Sequence, residues 1–131
     1  MVIDSSAIVA ILLVEADRER FTNLILEAET RVISAANVLE SGIVLESRRG
    51  EAAGHEFDLF LNQAGVDIVP VDAEQIEIAR MAWRRYGKGR HPAALNFGDC
   101  FAYALAKVLD EPLLSKGTDF ARTDIQCVRI S

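Results

Sequence analysis

Four acidic residues, Asp4, Glu40, Asp99 and Asp119, fall where carboxylates can act together. Asp4 closes the short apolar run Met1-Val2-Ile3-Asp4, and Glu40 lies in a helical pattern that follows a second such run. Asp99 sits in the first turn of a helical pattern starting at Phe97, and Asp119 comes a few residues after the run Pro112 to Ser115. In an open parallel α/β sheet the functional crevice lies outside the carboxyl ends of the strands. A parallel sheet would therefore send all four acids toward one edge. Each also has a local explanation. Asp4 can cap a helix, Asn37-x-x-Glu40 and Asn96-x-x-Asp99 have capping-box spacing, and Asp119 can open a turn. Jointly those explanations weaken, because Asp4 and Asp99 both adjoin strongly apolar segments. Burying carboxylates together costs on the order of several kcal/mol unless positive charge neutralises them. No Lys or Arg neighbours either residue in sequence. A divalent cation is the economical answer, and oxygen ligands without a His or Cys set suit Mg²⁺ or Mn²⁺.

The other chemistry-bearing residues point to less. His55 lies in a polar helical stretch and His91 in a basic loop, neither at zinc spacing from a cysteine. Cys100 has no histidine partner and reads as a core thiol. Ser5 and Ser6 lack a Ser-His-Asp companion set, but Ser6 beside Asp4, like Asn96 beside Asp99, is placed to support a carboxylate. From Ile78 through Gly98 there is no acid at all, while Arg80, Arg84, Arg85, Lys88 and Arg90 are present. Those bases either complement a helix macrodipole at a solvated helix end or hold phosphates.

Strand-like runs alternate with helical patterns, the signature of a parallel sheet covered by helices. Strands are expected at 1–4, 31–34, 66–71, 112–115 and 126–130. Helices are expected at 5–14, 17–29, 36–49, 51–63, 72–86 and 97–109, with Gly87 to Asn96 as the longest irregular stretch. This spells a three-layer α/β sandwich around a central five-stranded parallel sheet. No repeat or linker divides the chain, so residues 1–131 are expected to form one domain.

Composition sets outer limits. Half of the 131 residues are hydrophobic, which excludes a disordered chain. No apolar run is long enough to span a membrane, and no signal-peptide pattern opens the chain. Two cysteines suit a reducing compartment, so a cytoplasmic protein without membrane contact is expected. The net charge of -6 argues against a protein that coats nucleic acid through a wholly basic face.

Met1-Val2-Ile3-Asp4-Ser5-Ser6-Ala7-Ile8-Val9-Ala10 resembles the opening of PIN-domain ribonucleases, especially the VapC toxins of bacterial toxin–antitoxin pairs. Leu95-Asn96-Phe97-Gly98-Asp99-Cys100-Phe101-Ala102-Tyr103-Ala104-Leu105-Ala106 resembles that family's second metal-ligand helix. Ser34 to Glu46, with Leu39-Glu40, resembles the segment carrying its glutamate, and Leu113 to Phe120 its closing motif. The resemblance spans the chain in order. It implies Asp4 and Asp99 as primary metal ligands, and Glu40 as a further ligand or the group orienting an attacking water. The family often carries an acid at the place of Gly117; this chain keeps only Asp119, expected to act through water or not at all.

The implied activity is Mg²⁺- or Mn²⁺-dependent cleavage of RNA. A divalent ion there polarises a phosphoryl oxygen and lowers the pKa of water for in-line attack. Arg84, Arg85, Lys88 and Arg90 would position flanking phosphates. The resemblance further implies a homodimer and a small antitoxin that blocks the acidic site. Two alternatives stand beside it. One is a PIN-like interaction module without catalysis. The other is a receiver-type phosphoacceptor domain, which needs an acidic pair after the first strand and an acceptor Asp ending the third. Here Ser5-Ser6 follows Asp4, and Asp72 runs into a helix cap.

Overall fold

The computed structural model describes residues 1–130. Its centre is a parallel sheet of four short strands: β1 (Val2–Ile3), β2 (Val32–Ser34), β3 (Asp67–Val69) and β4 (Leu113–Leu114), in the order β3-β2-β1-β4. Pairing is in register at Val2 with Val32, Val2 with Leu113, and Ile33 with Ile68. Around the sheet stand α1 (Ser5–Leu12), α2 (Arg18–Glu27), α3 (Ala35–Arg49), α4 (Glu51–Gln63), α5 (Ala73–Tyr86) and α6 (Phe97–Leu109). A 3-10 turn, Phe120–Arg122, follows β4.

Side chains on a strand alternate between its two faces, and here each face feeds its own core. Ile3, Ile33 and Leu114 pack with Ile8 and Ile11 of α1, Phe21 and Ile25 of α2, Leu45 of α3, and Phe57 and Leu61 of α4. Val2 and Leu113 pack on the opposite side with Ala79 and Ala82 of α5 and Tyr103, Leu105 and Ala106 of α6. Central strands buried on both faces read as continuous apolar runs, hence Val2-Ile3 and Leu113-Leu114. Tyr103, fully buried, donates its hydroxyl to Asp124 Oδ1 at 2.6 Å, which ties the chain after the 3-10 turn to α6.

The expected fifth strand, 126–130, reduces to a single parallel bridge, Cys127 with Leu113. Leu113 donates to Gln126 O at 2.9 Å and accepts from Val128 N at 3.0 Å. With β4 only two residues long, the ladder has no further partner to offer Arg129 and Ile130. The sheet is four-stranded.

The order reverses at β1: the chain proceeds from β1 outward through β2 and β3, then returns to β4 on the other side. That is a topological switch point, and the crevice beyond the carboxyl ends of β1 and β4 is where ligands bind in such sheets. The loop 87–96 is organised rather than loose. Lys88 N donates to Leu95 O and Leu95 N to Tyr86 O, both at 2.9 Å, closing it into a bridge between Gly87 and Leu95.

Ile33 lies in the middle of β2 with no exposed surface. Truncation to Ala leaves a void that the paired strands cannot collapse into, so Ile33→Ala should cost about 2–5 kcal/mol. Chemical denaturation checks this, with an unchanged m-value expected.

Candidate active site

Asp4 ends β1 and caps α1: its Oδ2 accepts from Ser6 N at 3.0 Å. Its other oxygen, Oδ1, is fully buried and has no hydrogen-bond partner among the described residues. Only 3 % of the residue is exposed. Buried carboxylate oxygens without a donor are rare and call for an explanation. Burial pushes the Asp4 carboxyl up from its ordinary range against the hydrogen bonds from Ser6, and the charge of Glu40 adds to the rise.

Asp99 reaches the same crevice from α6. The capping box expected at Asn96 is present: Asn96 Oδ1 accepts from Asp99 N, and Asp99 Oδ2 accepts from Asn96 N, each at 2.9 Å. The box fixes the carboxylate at the helix N-terminus, whose dipole favours negative charge. Even so, burial pushes the Asp99 carboxyl up to about 7 against the Asn96 backbone bond, with further rises from the charges of Asp4, Glu40 and Asp119. The expected structural and chemical roles therefore coincide in one residue.

Glu40 comes from α3. This helix begins at Ala35 with Ser34 as its cap, so Asn37 is not the capping residue that its spacing with Glu40 suggests. Fully buried Asn37 donates instead to Glu40 Oε1 at 3.1 Å and to Gly98 O at 3.0 Å. Ser5 donates to the same Glu40 oxygen at 2.5 Å. The far side of the carboxylate rests on Gly98, where an added Cβ would meet Glu40 Oε2 at 1.9 Å. A hydrogen atom is the largest group that position admits.

Asp4, Ser6, Glu40, Asn96 and Asp99 line one cavity of about 290 Å³, together with Glu15 and Lys116. Lys116 N donates to Ser6 Oγ at 2.9 Å, and its ammonium pairs with Glu15. Asp119 stands outside the cavity, exposed at the start of the 3-10 turn, and reaches the site through its charge on Asp99. Among the described residues no three His, Cys, Asp or Glu side chains converge closely enough to enclose an ion by themselves.

The basic segment divides. Arg84, Lys88 and Arg90 line a groove of about 820 Å³ between α5 and α6, and Asn96 lines both that groove and the acidic cavity. Arg85 is turned off the groove, and its charge acts on the Tyr103 hydroxyl. Sequence reasoning missed Asn37 as a bridge, Gly98 as a seat for Glu40, and the Lys116–Glu15 pair. Each joins segments far apart in the chain, so no local spacing signals it.

The PIN domain family model matches residues 1–126. The chain belongs to the PIN-domain family. Ribonuclease VapC of Mycolicibacterium smegmatis is 55% identical over 128 residues, covering 98% of this chain and 99% of the relative. Ribonuclease VapC30 of Mycobacterium tuberculosis is 52% identical over 130 residues, 99% of each chain. Among solved PIN-domain structures, M. tuberculosis VapC20, a Sarcin-Ricin loop cleaving toxin, superimposes with a TM-score of 0.80 at 19% identity, covering 98% of both chains. Rickettsia felis VapBC2 bound to a DNA fragment from its promoter gives 0.74 at 15% identity, covering 98% of this chain and 96% of that one. These likenesses establish the PIN architecture.

The raised Asp99 carboxyl carries a stability signature. Unfolded, Asp99 releases its proton near the usual 3.8; folded, near 7. Unfolding therefore sheds a proton between those values, and metal-free stability falls as pH rises through that window. The loss is at most about 4 kcal/mol, less where water screens the half-buried group. In EDTA, Asp99→Asn should melt above the wild type at pH 8, and the difference should close by pH 4. Parallel melting curves across that range would show a carboxylate under no such pressure.

Proposed function

We propose that the chain is a divalent-metal-dependent endoribonuclease, the toxin component of a toxin–antitoxin pair. The observation that carries the reading is the unpartnered, buried Oδ1 of Asp4 in a cavity shared with Asp99 and Glu40. A hard divalent cation fits this donor set. Every donor is oxygen, the carboxylates repel one another, and among the described residues no Lys or Arg hydrogen-bonds to them. Mg²⁺ typically takes one or two carboxylates and completes its shell with water and phosphate oxygens, so Asp4 and Asp99 suffice as direct ligands. Three enclosing side chains are not needed.

When bound, such an ion supplies Lewis-acid polarisation of a phosphodiester and acidification of water. The protein's own groups do the rest. Glu40 Oε1 is taken by Ser5 and Asn37, which leaves Oε2 to orient the attacking water and accept its proton. Asn96 holds Asp99 in place through the capping box, and Ser6 holds the Lys116 backbone at the cavity mouth. Asp119 adds negative charge from outside and acts through water. Arg84, Lys88 and Arg90 hold flanking phosphates, while Arg85 contributes only to the general field.

The relatives' names as VapC ribonucleases support RNA as the substrate. The VapBC2 neighbour supports a small antitoxin partner, and a homodimer in the cytoplasm completes the proposal. Among the described residues no helix is long and apolar enough to cross a membrane. A receiver-type site fits poorly. Asp72 caps α5 by accepting from Gln75 N at 2.9 Å, beyond a β3 that lies at the sheet edge.

Mn²⁺ binding to the folded state alone stabilises by about 2.7 kcal/mol at a hundred times Kd, a melting shift on the order of several degrees. Wild type should show this shift and cleave RNA. Asp4→Asn and Asp99→Asn should lose both cleavage and most of the shift. Wild type melting alike in EDTA and Mn²⁺ would sink the metal site, and RNA cleavage retained in Asp4→Asn would sink the mechanism. In cells, expression should arrest growth, and co-expression of a small protein encoded beside it should relieve the arrest. Growth indifferent to the wild-type chain would remove the toxin assignment.

A further inference from the structure

The α5–α6 groove is built unlike a surface that merely carries charge. Three large aromatic side chains line it: Trp83, 45 % exposed, Phe97, 71 % exposed, and Phe101. Phe97 and Phe101 stack with ring centroids 5.0 Å apart and planes inclined by 28°. Arg90 lies over the Trp83 ring, 4.2 Å from its centroid. The indole is seated against the backbone at Gly87, where an added Cβ would meet Trp83 Cδ1 at 2.6 Å. The bridge between Gly87 and Leu95 fixes the loop that carries Lys88 and Arg90. Aromatic faces flanked by cations are how proteins hold unstacked bases and their phosphates. Asn96 joins this groove to the acidic cavity, and Phe97 precedes Asp99 by two residues.

We propose that this groove is a base-stacking subsite for single-stranded RNA, delivering the strand to the adjoining carboxylates. It deepens the nuclease reading and rests on it for the choice of RNA. The bases stack on Phe97 and Trp83, while Arg84, Lys88 and Arg90 take the phosphates on either side. Charge selects this occupant over a second copy of the chain. A two-fold contact sets the same patch on both partners face to face, and here that opposes cation to cation. From Ile78 to Gly98 there is no acid to answer them.

Trp83 is the sole tryptophan, so intrinsic fluorescence reads the groove directly. The full chain in EDTA, where metal-dependent cleavage is absent, is titrated with a ten-nucleotide oligoribonucleotide and with an abasic strand of equal charge. The base-bearing strand should change Trp83 fluorescence and bind roughly tenfold tighter than the abasic one. Phe97→Leu, at an exposed position, should abolish that difference with the salt dependence unchanged, and Phe97→Tyr should restore it. Lys88→Glu should instead reduce the slope of log affinity against log salt by about 0.7 per lost contact. Equal binding of the two strands would overturn the subsite and leave only a charged surface. A Trp83 signal that changes with protein concentration in the absence of RNA would place the second copy of the proposed homodimer on this groove and overturn it as well. A protein that binds in this way yet cleaves nothing with Mn²⁺ keeps the subsite and loses the nuclease reading.

Discussion

The constraint that the rest of the structure answers to is mutual repulsion among carboxylates held out of water. Asp4 is almost wholly buried, Asp99 is half-buried, and Glu40 is close enough to raise both. Left alone, such groups would turn outward or take up protons. The fold prevents the first by tying each acid to a rigid element: Asp4 to the end of a central strand, Asp99 to a capping box, Glu40 to Ser5 and Asn37. The second response remains available, and the Asp99 carboxyl, pushed up to about 7, takes it. The proposed divalent cation would offset that repulsion.

Much of this was legible in the sequence because it is local. The helices at 51–63 and 97–109 were expected with the bounds observed, since their apolar positions repeat at helical period and a glycine or a cap marks each start. The strands were expected too long. Val66 is buried in the core that α4 joins, and Val71 lies in the connection between β3 and α5, so apolar character there extends outside the ladder. The tail at 126–130 failed for a related reason: Cys127, Val128 and Ile130 give it apolar character, but only Leu113 offers it a partner. A ladder's length belongs to its shorter strand.

What was not legible joins distant segments. Asn37 looked like a cap because spacing alone cannot show that α3 starts two residues earlier at Ala35. Its actual work, bridging Glu40 to the Gly98 carbonyl, couples α3 to the first turn of α6. Arg84 and Arg85 were equivalent in sequence, yet neighbours on a helix point about 100° apart. Arg84 lines the groove; Arg85 is exposed away from it. Gly98 similarly became informative only when Glu40 was seen resting on it.

The first turn of α6 is where these features meet. Asn96 caps the helix, borders the acidic cavity on one side and the basic aromatic groove on the other, and orients Asp99 between them. A phosphodiester approaching from the groove passes from a field that attracts it to one that repels it over the length of a helical turn. The net charge of -6 does not describe either surface, because Arg80, Arg84, Lys88 and Arg90 line the groove, while Asp4, Glu15, Glu40 and Asp99 outnumber Lys116 in the cavity. On the proposed function, repulsion at the carboxylates would disfavour a phosphate there until a cation held by Asp4 and Asp99 offset it. The basic aromatic groove and the acidic cavity are thus adjoining surfaces of opposite charge that meet at Asn96.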